Sequence, residues 1–277
     1  MTIIQRFLIK QLPMVFLAGF LGWMVMIGGA VAGLWRPNGS WVFLFIIAVL
    51  VVLALSIWRK WMRERFVRES AIPQFLKRKL RETYPFLSGK DCDLVERGLR
   101  QFFIACARSN QQFVAMPSKA VDALWHEFIL HTQAYEAWCN MALGYFLHHT
   151  PAAALGKQAK NNDGLRRAWY WACKDEAINP KAPSRLPLLF ALDMKLGIQG
   201  GYSYVPDCKD IACKSYDGGA GGDTYCGTDF SSGSYSSDSG STADFGGADV
   251  SSSDGRDGGG GGDGGGGCGG GGGGGGD

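Results

Sequence analysis

The spacing of apolar and polar positions divides the chain into unequal parts. Residues 14–35 carry no charged side chain over 22 positions, and residues 41–58 carry none over 18. A helix needs about 20 apolar residues to cross the hydrocarbon core of a bilayer, so each run predicts a transmembrane helix. Between them, Arg36-Pro37-Asn38-Gly39-Ser40 has the composition of a tight turn. Trp35, Trp41 and Trp58 stand at the ends of the runs, where interfacial aromatics collect. Residues 1–60 are therefore expected to form a two-helix transmembrane hairpin.

The periodicity changes after residue 60. A basic juxtamembrane segment over 61–90 leads into a soluble helical domain over 91–210. In 91–109, Leu94, Val95, Leu99, Phe102, Phe103 and Cys106 recur at helical spacing. Pro117-Ser118 opens the next helix, with Ser118 as its N-cap. From Val121 the 3-and-4 spacing runs through Leu124, Trp125, Phe128, Ile129, Tyr135, Trp138, Cys139, Ala142, Leu143 and Phe146. One long helix, or two nearly collinear ones, is expected there, ending before Thr150-Pro151. A third helix over 163–178 is stopped by Asn179-Pro180, and a short fourth over 186–196 has Gly197 at its C′ position. Alternation of β-branched residues is absent from the soluble part, so no strand is expected. The fold class is mainly α.

Composition sets the C-terminal part aside. Of the 41 glycines, 27 lie in residues 218–277. Residues 211–277, rich in Gly, Ser and Asp, are expected to form a disordered tail, because they offer too little apolar surface to bury. Residues 214–277 sum to −8, which leaves +11 on the rest of a chain whose net charge is +3.

That basic surplus sits beside the apolar runs. Residues 59–81 hold nine basic side chains. Arg59, Lys60, Arg63, Lys77, Arg78 and Lys79 are candidates to face anionic lipid; the plainer alternative is a solvated stop-transfer flank. Arg6 and Lys10 precede the first run and Arg59 to Arg68 follow the second, against Arg36 alone in the turn. The positive-inside rule then predicts a multi-pass protein of the inner (cytoplasmic) membrane with its soluble domain in the cytoplasm. No nucleic-acid partner is expected, because no recognition motif accompanies the charge. The eight cysteines show no CxxC pairing, and a cytosolic domain gives no reason for disulfides.

All four histidines, His126, His131, His148 and His149, fall within 24 residues. His126 projects from the polar side of its predicted helix. Asp122 precedes it by one turn on the same face, where a carboxylate can orient an imidazole. His131 lies about 140° further round and cannot join His126 on a straight helix. A metal site would need His126 together with His148 or His149 folded back, plus Cys139 or a carboxylate such as Glu127. The bland alternatives are a surface Asp–His pair, helix-terminal histidines favoured by the helix dipole, and a packed Cys139.

Residues 117–151 contain Val121-Asp122, Trp125-His126, then Tyr135 and Cys139, then His149. This pattern resembles the glycine-rich domain-containing protein-like family, whose motif reads Val-Asp-x-x-Trp-His, then Tyr-x-x-x-Cys, then a later His. Residues 186–194 and Tyr204-Val205-Pro206-Asp207 are similar to the end of bacterial relatives, and the resemblance covers about residues 90–207. Plant relatives carry a second His two positions after the first, where this chain has Phe128, so a His-x-His site is not implied. The resemblance implies a functional cluster of Asp122, Trp125, His126, Tyr135, Cys139 and His149.

Two functions follow as expectations. The first is a membrane-anchored cytoplasmic helical interaction module with a protein partner, since no complete nucleophile–base set is forced by spacing. The second is a metal-dependent enzyme or metal sensor, with zinc as the cofactor, built on Asp122, His126 and His148 or His149. Convergence of His126 with His149 would favour the second.

Overall fold

The computed structural model describes residues 17, 19–34, 39–150, 163–207, 224–230 and 247–249. The fold is mainly helical. Its helices are α1 (Gly19–Val31), α2 (Gly39–Glu69), α3 (Gln74–Thr83), α4 (Gly89–Arg108), α5 (Lys119–Leu130), α6 (Thr132–Ala142), α7 (Asp163–Asp175) and α8 (Leu188–Lys195). The short strands are β1 (Val114–Ala115), β2 (His148–Thr150), β3 (Ser203–Val205), β4 (Thr224–Cys226) and β5 (Gly247–Asp249).

Helix α2 has one character in its first half and another in its second. Its apolar part is long enough to cross a membrane, and none of that stretch is buried in the protein. Trp23 of α1 meets Phe45 of α2 edge-on, with ring centroids 5.2 Å apart. The described part of the first apolar run, α1, is shorter than a span. Residues 14–16, 18 and 35 of that run, and 36–38 of the expected turn, lie outside the described residues.

The second half of α2 belongs to the domain. Met62 and Val67 are core residues, followed by Ile72, Leu76, Leu80 and Leu87 on the way into α4. The core thus begins well before residue 91. Arg108 of α4 clasps Glu64 with two bonds of 2.7 Å. Arg100 donates to the carbonyls of Val67 and Ser70 at 2.6 Å, supplying partners to carbonyls that a helix C-terminus leaves open. Trp138 of α6 donates its indole N–H to Ser70 Oγ at 3.0 Å. The apolar helix is therefore continuous with a helix held on the domain by α4 and α6.

Local chemistry explains where α4 and α5 start. Ser88 and Asp91 form a reciprocal capping box at the start of α4. Ser118 caps α5, as expected, accepting from Val121 N. The crossing of α4 over α5 and α8 is close: a Cβ added at Gly98 would stand 2.3 Å from Leu192 Cδ1.

Four expectations are corrected. The helical pattern from Ser118 onward breaks at His131, whose φ of −89° and ψ of 62° separate α5 from α6. It ends at Leu143, after which Gly144 takes a φ of +87°. His148 and His149 therefore lie in a strand, not at a helix C-terminus. Strands are present: β1, β5 and β2 form an antiparallel sheet in that order, and β3 pairs with β4 in parallel. They are two or three residues long, too short for alternation to register. Finally, β4 and β5 come from the segment expected to be wholly disordered. Tyr225 and Phe230 are buried against the core, and Phe230 lies in ring contact with Trp169, Phe190 and Tyr204. Scattered aromatics in a Gly-Ser-Asp background dock one at a time rather than as a periodic face. Most of residues 211–277 lies outside the described residues. Cys226 is disulfide-bonded, against the expectation of free thiols; Cys92, Cys106, Cys139 and Cys173 are free and buried.

Candidate metal centre

Helix α5 and strand β2 bring three polar side chains together. On α5, Asp122 and His126 are one turn apart. His126 Nδ1 lies 3.0 Å from the Asp122 carbonyl oxygen and 3.3 Å from Asp122 Oδ2. An Nδ1–H directed there leaves Nε2 as the lone-pair nitrogen of the ring. From β2, His149 Nε2 reaches Asp122 Oδ1 at 3.1 Å. The rings of His126 and His149 are 4.1 Å apart between centroids. One ligand atom from each of Asp122, His126 and His149 lies within 4.8 Å of the other two.

The trio is graded in exposure. The His149 side chain is 12 % exposed, Asp122 31 % and His126 51 %. One wall is therefore fixed in the protein while the opposite side opens to solvent.

The remaining motif residues lie beneath this trio and hold it. Trp125 is fully buried. Its ring packs on His149 at a centroid distance of 4.7 Å, and its Nε1–H donates to the Tyr135 hydroxyl at 3.1 Å. Tyr135 in turn donates to the Leu147 carbonyl at 2.7 Å. Cys139, four residues on from Tyr135, is also fully buried, and its sulfur meets the Leu147 backbone. Leu147 is thus fastened from α6 immediately before β2, which sets where His149 projects. Burial pushes the Tyr135 hydroxyl far above its ordinary range and the Cys139 thiol up to about 11. Neither is a nucleophile near neutral pH; both act as neutral anchors.

Other candidates separate from the cluster. His148 is exposed, with its ring against Phe146 at 4.8 Å. Neighbouring strand residues face opposite ways, so His148 does not join His149. Glu127 and Cys139 are not members of the trio. His131 stands at the α5–α6 break with its ring edge-on to Phe75 at 4.2 Å. Of the basic candidates, Lys77 pairs with both Asp93 and Glu96 at 2.6 Å, which ties it to α4. Lys79 pairs with Glu82, and Arg63 donates to the Leu143 carbonyl at 2.8 Å. Arg59 and Lys60 line a cavity with Arg63.

One supporting residue gave a weaker sequence signal. Asp193 is buried, 2 % exposed, at the start of α5. Its carboxylate accepts from Ser118 Oγ at 2.6 Å, Lys119 N at 2.8 Å, Ala120 N at 3.2 Å and Tyr202 N at 3.0 Å. An anion at a helix N-terminus satisfies open N–H groups and meets the positive end of the helix dipole. It fixes the first turn of the helix that carries Asp122 and His126. A lone acid in the apolar Leu-Leu-Phe-Ala-Leu-Asp-Met run was the available cue.

The family model described as UCP032817-like covers residues 62–230, more than half of the chain, and the chain belongs to that family. The matched region begins and ends on core residues, Met62 and Phe230, so it takes in β4 and the turn after it. No curated protein and no solved structure matches.

Proposed function

We propose that this UCP032817-like protein is a membrane-anchored metal-binding domain. Its centre is Asp122, His126 and His149, and its ion is a divalent first-row metal such as zinc or iron(II). The observation that carries this is the convergence of the three ligand atoms within 4.8 Å, from residues 27 positions apart in sequence. Two imidazoles and one carboxylate suit these metals. The exposed side at His126 leaves room for further ligands, which belongs to a catalytic or sensing site rather than a closed structural one. The chemistry available there is polarisation of a bound water or substrate oxygen.

The hydrogen-bonded scaffold supports the same reading. Trp125, Tyr135 and Cys139 fix the approach of β2, and an oriented ligand shell is what a metal centre needs. An interaction role is part of the same proposal: α2 would hold the centre at a membrane surface, where a partner or substrate would meet it.

The anchor is proposed to be multi-pass, with α1 and α2 as its helices. The excess of basic residues after Trp58 favours a cytoplasmic domain. The disulfide at Cys226 points the other way, since such bonds persist in oxidising compartments. Five basic residues, Arg59, Lys60, Arg63, Arg65 and Arg68, flank the span, and on that charge the domain is proposed to be cytoplasmic.

The test is a cobalt(II) titration of the full chain in detergent. One equivalent should develop visible d–d bands that zinc displaces. The bands should be absent in His149→Ala. Spectra identical in the wild type and in His126→Ala and His149→Ala variants would overturn the proposal.

A further inference from the structure

A second cluster of functional groups lies where α2 leaves its apolar stretch. Arg59, Lys60 and Arg63 follow Trp58 within two turns. Together with Arg108, the 109–112 turn, the α6–β2 turn and Trp171, they line a cavity of about 700 Å³.

Four cations face this cavity against one lining carboxylate, Glu64. That carboxylate is engaged by Arg108 through both oxygens. Arg59, Lys60 and Arg63 are left as a local surplus. Arg63 donates through Nη1 to Leu143 O, while its Nε is buried with no protein partner. A buried N–H without an acceptor is costly, so this guanidinium has an unmet donor beside the cavity.

The backbone around the cavity is shaped for close approach. Asn110 and Gln111, both lining residues, hold φ values of 49° and 64° just past the C-cap of α4, the left-handed turn with which helices commonly close. Gly144, also a lining residue, has a φ of +87°, and a Cβ there would stand 2.1 Å from Arg63 Nη2. Glycine is what lets this guanidinium lie against the turn.

We infer that the cavity lined by Arg59, Lys60, Arg63 and Arg108 seats the phosphate headgroup of an anionic phospholipid. The lipid source, rather than a soluble phosphate, follows from placement: the basic residues begin directly after the apolar stretch of α2, at the depth where headgroups lie. Tyr145 and Trp171 line the same cavity, and such aromatic side chains favour that interfacial level. The inference rests on α2 crossing the membrane and is independent of the metal centre.

The test uses the full chain reconstituted in nanodiscs of phosphatidylcholine, titrated with a fluorescent phosphatidylglycerol. Saturable binding is expected, weakened about 20-fold or more in an Arg59→Gln/Lys60→Gln double variant. Lys60 is exposed and Arg59 half-buried, and the variant leaves Arg63 and its bond to the Leu143 carbonyl in place. Equal binding of labelled phosphatidylcholine, or unchanged affinity in the double variant, would overturn the inference and leave the anchor standing. Full competition by millimolar inorganic phosphate would assign the cavity to a soluble anion instead. A chain that fails to integrate into the discs would overturn both the anchor and this inference.

Discussion

Asp122 and His149 meet at 3.1 Å although 27 residues separate them, because Tyr135 and Cys139 fasten the chain at Leu147 just before the strand that carries His149. The polar centre and the buried aromatic network are thus two layers of one construction.

Tyr135→Phe removes one hydroxyl and strands two partners, the Trp125 indole N–H and the Leu147 carbonyl. The cost should be about 2–4 kcal/mol. Metal affinity should fall about tenfold while helical content persists, because second-layer partners orient the ligands. Chemical denaturation and metal titration on the same variant check both effects. A variant that loses stability but binds metal as before would detach the two layers.

Asp193→Asn should destabilise the domain by about 2–4 kcal/mol, because a neutral amide cannot accept all four hydrogen bonds and gives up the charge at the start of α5. Ser118→Ala should cost less, about 1–2 kcal/mol. Thermal unfolding of the two variants gives the order directly.

Gly98→Ala tests the helix crossing. The new methyl would need Leu192 Cδ1 to move from 2.3 Å, an overpacking that costs about 1–3 kcal/mol. The same substitution at Gly89, which has open space around it, should change stability little. Comparison of denaturation midpoints separates packing from glycine content.

Stability should fall as the pH rises above 9. Burial raises the Cys139 thiol from its ordinary value of 9.0 to about 11 in the fold. Between these values the native state keeps a proton that the unfolded chain has released. The sign therefore runs against folding, at up to about 1.4 kcal/mol per pH unit for one such group. Cys106 and Tyr135, also raised by burial, carry the same sign. Denaturant melts between pH 8 and 11 should show the decline, and Cys139→Ala should make it shallower.

Much of the helical layout was legible because it depends on local rules. The Ser118 cap and the stripe through Val121, Leu124, Trp125 and Phe128 are short-range signals; the helix expected to run to residue 178 instead ends at Asp175, ahead of Ala177 with its φ of 55°. The Asp122–His126 pair was legible for the same reason. What sequence could not give was the choice between His148 and His149. That choice rests on a three-residue strand whose partner, β5, lies about a hundred positions away in a glycine-rich stretch. The division between working and supporting residues was hidden too: Trp125, Tyr135 and Cys139 stood beside Asp122 and His126 as equals in the motif, and only burial separates them. Asp193 joins the site through contacts from another helix, which periodicity does not report.

The most direct test of the central claim is the metal stoichiometry of the full-length protein, purified without chelator and titrated with zinc under native mass spectrometry. One ion per chain is predicted for the wild type, with affinity reduced about 100-fold or more in Asp122→Asn, His126→Ala and His149→Ala, and no change in His148→Ala or His131→Ala. A chain that binds no zinc or iron(II), or whose binding is indifferent to Asp122, His126 and His149, would contradict the account and leave the trio as a hydrogen-bonded clasp between α5 and β2.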